Sequence, residues 1–268
     1  MALKICIAGV TGWTGSAVAK AVLDSPEFEL VGAVARRAAG QDAGLATGHD
    51  PCGIIVSGTV EEALTGETDV LIDYTHPEAV GGNVAAALNR GIGAVIGTSG
   101  LTGEDFEAIE QMALEKGAGV IAAGNFSLTA ALAKHFAGIA ARHVPHWEII
   151  DYSSAGKPDA PAGTTQELAE YLSGVATNEF VRPVEETLGA RDARGATIGG
   201  AQVHSVRLPG FVLSFETVFG LPNETLSIRH DAGSGAEPYV TGTLLAARRT
   251  VNLRGLVRGL DTLLFGSG

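Results

Sequence analysis

Short apolar runs that end in glycine or a small residue recur through the first half of the chain. Leu3–Ala8 is the first, and Gly9 ends it. Residues 28–34, 70–74, 94–97 and 120–122 repeat the pattern. Most are continuous rather than alternating, as strands buried on both faces are. Between them the spacing predicts helices over 16–23, 78–89 and 103–116, with Pro26 as a stop after the first. Strands alternating with helices predict an α/β fold of the Rossmann type, a doubly wound parallel sheet covered on both faces.

The rhythm changes after Asn125. A long helix is predicted over 128–143, a strand over 147–152 and a helix over 164–172. Residues 203–207, 211–219 and 225–230 alternate across short turns and read as antiparallel strands. A second, α+β domain with a mixed or antiparallel sheet is therefore expected. Residues 176–201 are polar and glycine-rich and read as loop. A last helix, 239–252, is expected to return to the first domain. The expected division is 1–126 with 237–268 for the first domain and 127–236 for the second.

Composition narrows the function. The formal net charge of −12 lacks the basic face a nucleic-acid partner requires. No run of about 18 apolar residues exists, so no membrane span is expected. The N-terminus shows no basic segment leading into a long apolar run, so a cytoplasmic location is expected. Cys6 and Cys52 have no metal-ligand spacing, and no metal is expected. The 37 glycines follow no period and cluster where apolar runs end, which suits tight βα turns.

The first such turn carries Gly9, Thr11, Gly12, Trp13, Thr14 and Gly15. Glycine lets a backbone turn sharply and approach a pyrophosphate, and the following helix N-terminus favours an anion. Thr11 stands where the usual dinucleotide fingerprint has its middle glycine. This loop is the candidate cofactor cradle; an ordinary βα turn is the plainer alternative. The second strand ends in Arg36 and Arg37, with no carboxylate to hold a ribose 2′-hydroxyl. Guanidinium groups match a 2′-phosphate, so NADPH is expected over NADH, with NADH still admissible. Two solvated arginines would read the same way. Gly97, Thr98 and Ser99 follow one later strand, and Ala123, Asn125 and Phe126 the next. These loops are candidates for lining the nicotinamide end, with Asn125 facing the carboxamide; simple turn roles are the alternative.

A further motif runs from Lys157 to Thr165. The Lys157 ammonium, the backbone N–H groups at Gly163 and Thr164, and a Thr164 hydroxyl acting as helix cap make a candidate carboxylate clamp. A solvated loop lysine and a plain helix start are the alternatives. The histidines at 76, 135, 143, 204 and 230 read as packing or surface residues rather than catalytic ones.

The ordered set of segments 73–77, 97–100, 125–127, 157–164 and 224–231 resembles the 4-hydroxy-tetrahydrodipicolinate reductase (dihydrodipicolinate reductase) family over nearly the whole chain. That resemblance implies a Rossmann domain closed by the C-terminal helix, a mixed-sheet substrate domain, and a homotetramer built through those sheets. It implies NAD(P)H-dependent reduction of a small anionic heterocycle, a cyclic imine or enamine carboxylate, in lysine and diaminopimelate biosynthesis. Lys157 and Gly163–Thr164 match the family's substrate clamp. The family pattern also carries two adjacent histidines, a proton donor and a substrate ligand, where this chain has Ser153 and Ser154. The family's usual arginine is missing from 232–238. A serine hydroxyl is too weak an acid to replace histidine directly. Lys157, Tyr152, or a water relayed by Ser153 are the remaining candidates for proton delivery, with Ser154 left as a substrate contact. Two other readings stand beside this one: a divergent paralogue acting on a different anionic C=N compound, and an inactive NADPH-binding sensor.

Overall fold

The structure, a computed structural model, describes residues 1–266. In chain order the elements begin β1 (Leu3–Ala8), α1 (Trp13–Asp24), β2 (Phe28–Val34), then single-turn helices α2 (Ala43–Ala46) and α3 (Val60–Ala63). β3 (Val70–Asp73), α4 (Pro77–Leu88), β4 (Gly93–Ile96), α5 (Gly103–Lys116) and β5 (Gly119–Ala122) continue the alternation. α6 (Leu128–Ala141), β6 (Trp147–Ser153), α7 (Gly163–Val175), β7 (Ala196–Ile198), β8 (Ala201–Arg207), β9 (Leu213–Leu221) and β10 (Glu224–Ala232) follow. α8 (Glu237–Thr250), β11 (Gly255–Arg258) and α9 (Leu260–Phe265) close the described chain. The chain divides into two compact units. One holds Met1–Leu128 and the chain from Ala236 onward; the other is Thr129–Gly235. No helix among the described residues is long and apolar enough to cross a membrane.

The first unit is built on a six-stranded sheet in the order β11-β5-β4-β3-β1-β2, all parallel. β3, β4 and β5 are buried at every residue, which explains their unbroken apolar sequences. α1 and α8 lie on one face, and α3, α4 and α5 on the other. The order reverses at β1: β2 lies to one side, β3 to the other. That reversal opens the crevice in which such folds take ligands, at the carboxyl ends of the strands. β11 was not expected from the sequence. It has four residues and follows a helix closely, so its pairing with β5 becomes visible only in the tertiary structure.

The second unit has a five-stranded mixed sheet, β10-β9-β6-β8-β7. β10 and β9 pair antiparallel as expected, and β6 also runs antiparallel to β9. β8 does not: it runs parallel to β6. The connection between them passes through α7, and a crossover helix returns the chain in the direction it left. Residues 176–201 are also more than loop, because β7 pairs with β8 across a turn at Gly199 and Gly200, both at positive φ. A Gly-Gly pair between short apolar stretches is a hairpin signal. α6 and α7 cover one sheet face, where Trp147, Ile149, Leu168, Leu172, Val203 and Phe219 form the core. β6 alternates buried and half-buried residues from end to end, so its side chains divide strictly between the two faces.

Candidate active site

The glycine loop lies between β1 and α1. Gly9 has a φ of 79°, and a Cβ there would collide with the Tyr74 carbonyl. A Cβ on Gly15 would collide with the Gly9 carbonyl. The outer two glycines thus let three backbone segments stack. Gly12 caps α1, which begins at Trp13, three residues earlier than expected. No side chain caps that terminus and no acid lies in its first turn. The first amides of α1 are therefore open to an anion, which fits a pyrophosphate. Thr11 and Trp13 are exposed and Thr14 half-buried. The Trp13 ring makes an edge contact with Tyr239 at 5.6 Å, a partner the sequence reading did not single out. Arg36 and Arg37 lie on a short 3₁₀ turn just after β2, exposed and with no ion pair among the described residues.

Asp73, at the end of β3, is fully buried. Its Oδ1 accepts from the Thr75 N–H (2.9 Å), the Thr75 hydroxyl (2.7 Å) and the Thr98 hydroxyl (2.8 Å). Asn83 Nδ2 donates to its Oδ2 at 2.8 Å. The carboxylate thereby ties the loop after β3 to the loop after β4. Tyr74 fills the space beside them: its hydroxyl is 2.6 Å from Thr243 Oγ1, its ring meets Phe126 edge-on at 6.4 Å, and a Cβ on Gly97 would collide with that ring. Burial pushes the Tyr74 hydroxyl well above the usual tyrosine value. Thr98 and Asn125 are half-buried and Ser99 is exposed. The Ala123 and Phe126 side chains are buried in the core, so only their backbone is left for a ligand.

The lysine motif lies in the second unit. Lys157 Nζ is 2.9 Å from Asp159 Oδ1. Arg207 Nη2 donates to the Asp159 carbonyl and to Asp151 Oδ2, both at 2.7 Å. Asp151 is fully buried and also accepts from Ala162 N–H, Thr165 Oγ1 and Ser205 Oγ at 3.0–3.1 Å. These contacts fix the loop from 157 to 162 to the start of α7. That helix begins at Gly163 with Ala162 as its N-cap, so the Thr164 hydroxyl is not the cap. The cap position falls two residues earlier because Asp151 holds the Ala162 N–H and the Thr165 hydroxyl. The Ala162 carbonyl accepts from Thr165 and Gln166 N–H. The Gly163 and Thr164 N–H groups have no acceptor among the described residues, and they point along the helix axis toward any anion at its start.

The three residues at the end of β6 separate. Ser153 is fully buried, and its hydroxyl has no hydrogen-bond partner among the described residues. Ser154 is exposed. Tyr152 projects from the sheet face opposite Asp151 and Ser153, as strand alternation requires. Its hydroxyl donates to Glu216 Oε2 at 3.1 Å and the Arg229 guanidinium lies over its ring at 4.6 Å. Burial, then the Glu216 carboxylate, raises its pKa. Tyr152 is therefore set apart from the Lys157 loop and is a poor candidate for proton delivery there. The sequence reading missed Asp151 and Arg207. The signal available was a carboxylate at 151 in step with Trp147 and Ile149 on the core face of β6.

Comparison with known proteins places these features in a family. A model described as dihydrodipicolinate reductase, N-terminus, matches residues 3–126, and one described as dihydrodipicolinate reductase, C-terminus, matches 126–264. The chain is 36% identical over 264 residues to 4-hydroxy-tetrahydrodipicolinate reductase of Desulfitobacterium hafniense, covering 98% of each. It is 37% identical over 262 residues to the enzyme of that name from Enterococcus faecalis, covering 98% of this chain and 100% of the relative. Among solved structures, dipicolinate-bound dihydrodipicolinate reductase from Paenisporosarcina sp. TG-14 superposes with a TM-score of 0.86 at 28% identity, covering 98% of this chain and 100% of that one. An amine dehydrogenase from Mycobacterium smegmatis shares the fold, with a TM-score of 0.68 at 16% identity, covering 97% and 95%.

Proposed function

The chain belongs to the dihydrodipicolinate reductase family, and we propose from that membership that it is a nicotinamide-dependent reductase of a small cyclic imine or enamine carboxylate, as in lysine and diaminopimelate biosynthesis. When bound, the reduced nicotinamide supplies hydride to the substrate's double bond. The first unit serves as the dinucleotide-binding domain, with the open amides of α1 for the pyrophosphate. Arg36 and Arg37, exposed just after the end of β2, favour NADPH over NADH. The second unit serves as the substrate and oligomerisation domain, and the enzyme is a homotetramer.

The observation that carries this reading is that buried Asp151 fixes both the loop bearing Lys157 and the start of a helix whose first two amides have no acceptor among the described residues. Lys157 and the Gly163 and Thr164 N–H groups grip the substrate carboxylate. A charged donor and amides at a helix N-terminus suit that role. The Lys157 ammonium can also deliver a proton, and the Ser153 hydroxyl, buried and without a hydrogen-bond partner among the described residues, can hold a water that does so. Ser154, exposed on the same loop, contacts the substrate.

The test mixes purified protein with NADPH and freshly generated lysine-pathway intermediate and follows loss of nicotinamide absorbance. Turnover that Lys157→Ala raises in KM by about 10–100-fold, the value of a hydrogen bond to a charged group, supports the reading. Ser153 and Ser154 favour a second reading, a paralogue acting on a different anionic C=N compound. Turnover on other cyclic imino acids but not on the pathway intermediate would select it. Cofactor binding without turnover on any of them would leave the sensor.

A further inference from the structure

Four charged groups meet around the loop that carries Lys157, and they form two pairs of unlike kind. Arg207 joins Asp151 at 2.7 Å, with side chains 17% and 0% exposed. Lys157 joins Asp159 at 2.9 Å, with side chains 31% and 50% exposed. The first pair is permanent, because parting it would strand a buried carboxylate. The second is exchangeable: water can solvate both partners, and an ion pair so placed contributes little. Arg207 also holds the Asp159 carbonyl at 2.7 Å, so the backbone stays fixed while the carboxylate can turn away. The Lys157 ammonium holds the Asp159 carboxyl below the ordinary carboxylate value, so it is ionised at neutral pH.

The charges therefore balance, two acids against two bases, before any ligand arrives. A carboxylate entering the clamp is a third negative group. Arg207 is committed, and Lys157 offers the newcomer only what Asp159 gives up. What tips the exchange is the helix start. The Gly163 and Thr164 N–H groups have no acceptor among the described residues, and a ligand carboxylate can take them together with the ammonium.

We propose that Asp159 is the resting counter-ion of Lys157, which the substrate carboxylate displaces. Asp159 is a positioning residue, because it acts through Lys157: it holds the ammonium in place before substrate arrives and opposes binding by the strength of one ion pair. The inference rests on the carboxylate-clamp reading above and deepens it by naming the group that the substrate must replace.

Calorimetric titration of the full-length protein with dipicolinate, a stable aromatic dicarboxylate, at saturating NADPH tests this without relying on turnover. Asp159→Asn keeps the shape and removes the charge. It should bind dipicolinate ~2–5-fold more tightly, the upper part of the range for an exposed ion pair. Asp159→Glu should keep wild-type affinity. A residue that merely shaped the loop would give the opposite sign. Weaker or unchanged binding by Asp159→Asn would therefore overturn the assignment, and so would tightening that Asp159→Glu shares. The wild-type chain crystallised with dipicolinate supplies a check that needs no variant to fold. Lys157 Nζ should meet the ligand carboxylate and stand beyond about 4 Å from Asp159, the limit of an ion pair. A Lys157–Asp159 pair kept at its resting distance would overturn the proposal. Dipicolinate binding that Lys157→Ala leaves unchanged, or a wild-type chain that does not bind it, would instead overturn the clamp, and this inference with it.

Discussion

Arg207 and Asp151 are 56 residues apart in sequence, and the Arg207 Nη2 donates to Asp151 Oδ2 at 2.7 Å. The same nitrogen holds the Asp159 carbonyl, so one guanidinium joins β8, β6 and the loop that carries Lys157. Removing one partner of a buried ion pair leaves the other charge uncompensated, at a cost of about 3–5 kcal/mol. Arg207→Ala should lower stability in chemical denaturation by that order. In whatever fraction folds, KM for substrate should rise more than kcat falls, because the anion site loses its anchor. An unchanged unfolding midpoint would remove this pair from the account of the site.

Arg36 and Arg37 touch no acidic group among the described residues, and both are exposed to a ligand. Replacing both with alanine should raise KM for NADPH ~10–100-fold, the value of hydrogen bonds to a charged group, and leave KM for NADH nearly unchanged. Steady-state kinetics with the two cofactors separate the roles. Equal effects on both would assign the arginines to the solvated surface.

The serine pair predicts a gain rather than a loss. General acid catalysis contributes ~10²–10⁴-fold where a well-placed histidine supplies it. Ser153→His combined with Ser154→His should raise kcat on the pathway intermediate. The gain should fade as pH rises through about 6.5, because only the protonated imidazole donates. Ser153 is fully buried, so its enlargement should cost ~1–3 kcal/mol in stability, whereas exposed Ser154 should tolerate the change. A folded double variant whose kcat shows no gain near pH 6 would place the rate-limiting step elsewhere.

Cys6 lies in β1 with no exposed surface. Burial, with a smaller contribution from Asp73, pushes its thiol up from the ordinary 9.0 to about 12. In the folded protein at pH 8 Cys6 should resist a thiol reagent, and half-buried Cys52 should react first; labelling before and after denaturation counts the two. The sign for stability follows from the raised value. The unfolded chain loses this proton first, so the thiol's contribution is full below pH 9 and is lost progressively toward pH 12. Cys6→Ser should flatten that alkaline decline, read from unfolding midpoints between pH 8 and pH 11.

Much of the first unit was legible because its signals are local. β3, β4 and β5 announce themselves as apolar runs since each is buried on both faces, and Gly9 and Gly15 mark the places where backbones touch. Thr164 shows where locality fails. Its sequence context is that of a helix cap, yet the cap of α7 is Ala162, two residues earlier, because Asp151, on another element, takes the donors at that end. Tyr152 shows the same limit. It stands next to Ser153 in sequence, but the pleat sends it to the other face, toward Glu216.

The linear chain by itself determined the two-part architecture, the glycine turn between β1 and α1 and the family, because hydrophobic period, turn residues and motif order are properties of neighbours. Tertiary structure alone decided which donors gather around buried Asp73 and Asp151, that β8 runs parallel to β6, and that β11 extends the first sheet. Those outcomes depend on contacts such as Asp151 with Arg207 and Tyr74 with Thr243, the latter 169 residues apart. A buried acid becomes tolerable only when folding gathers donors from several elements around it, and no stretch of sequence contains that gathering.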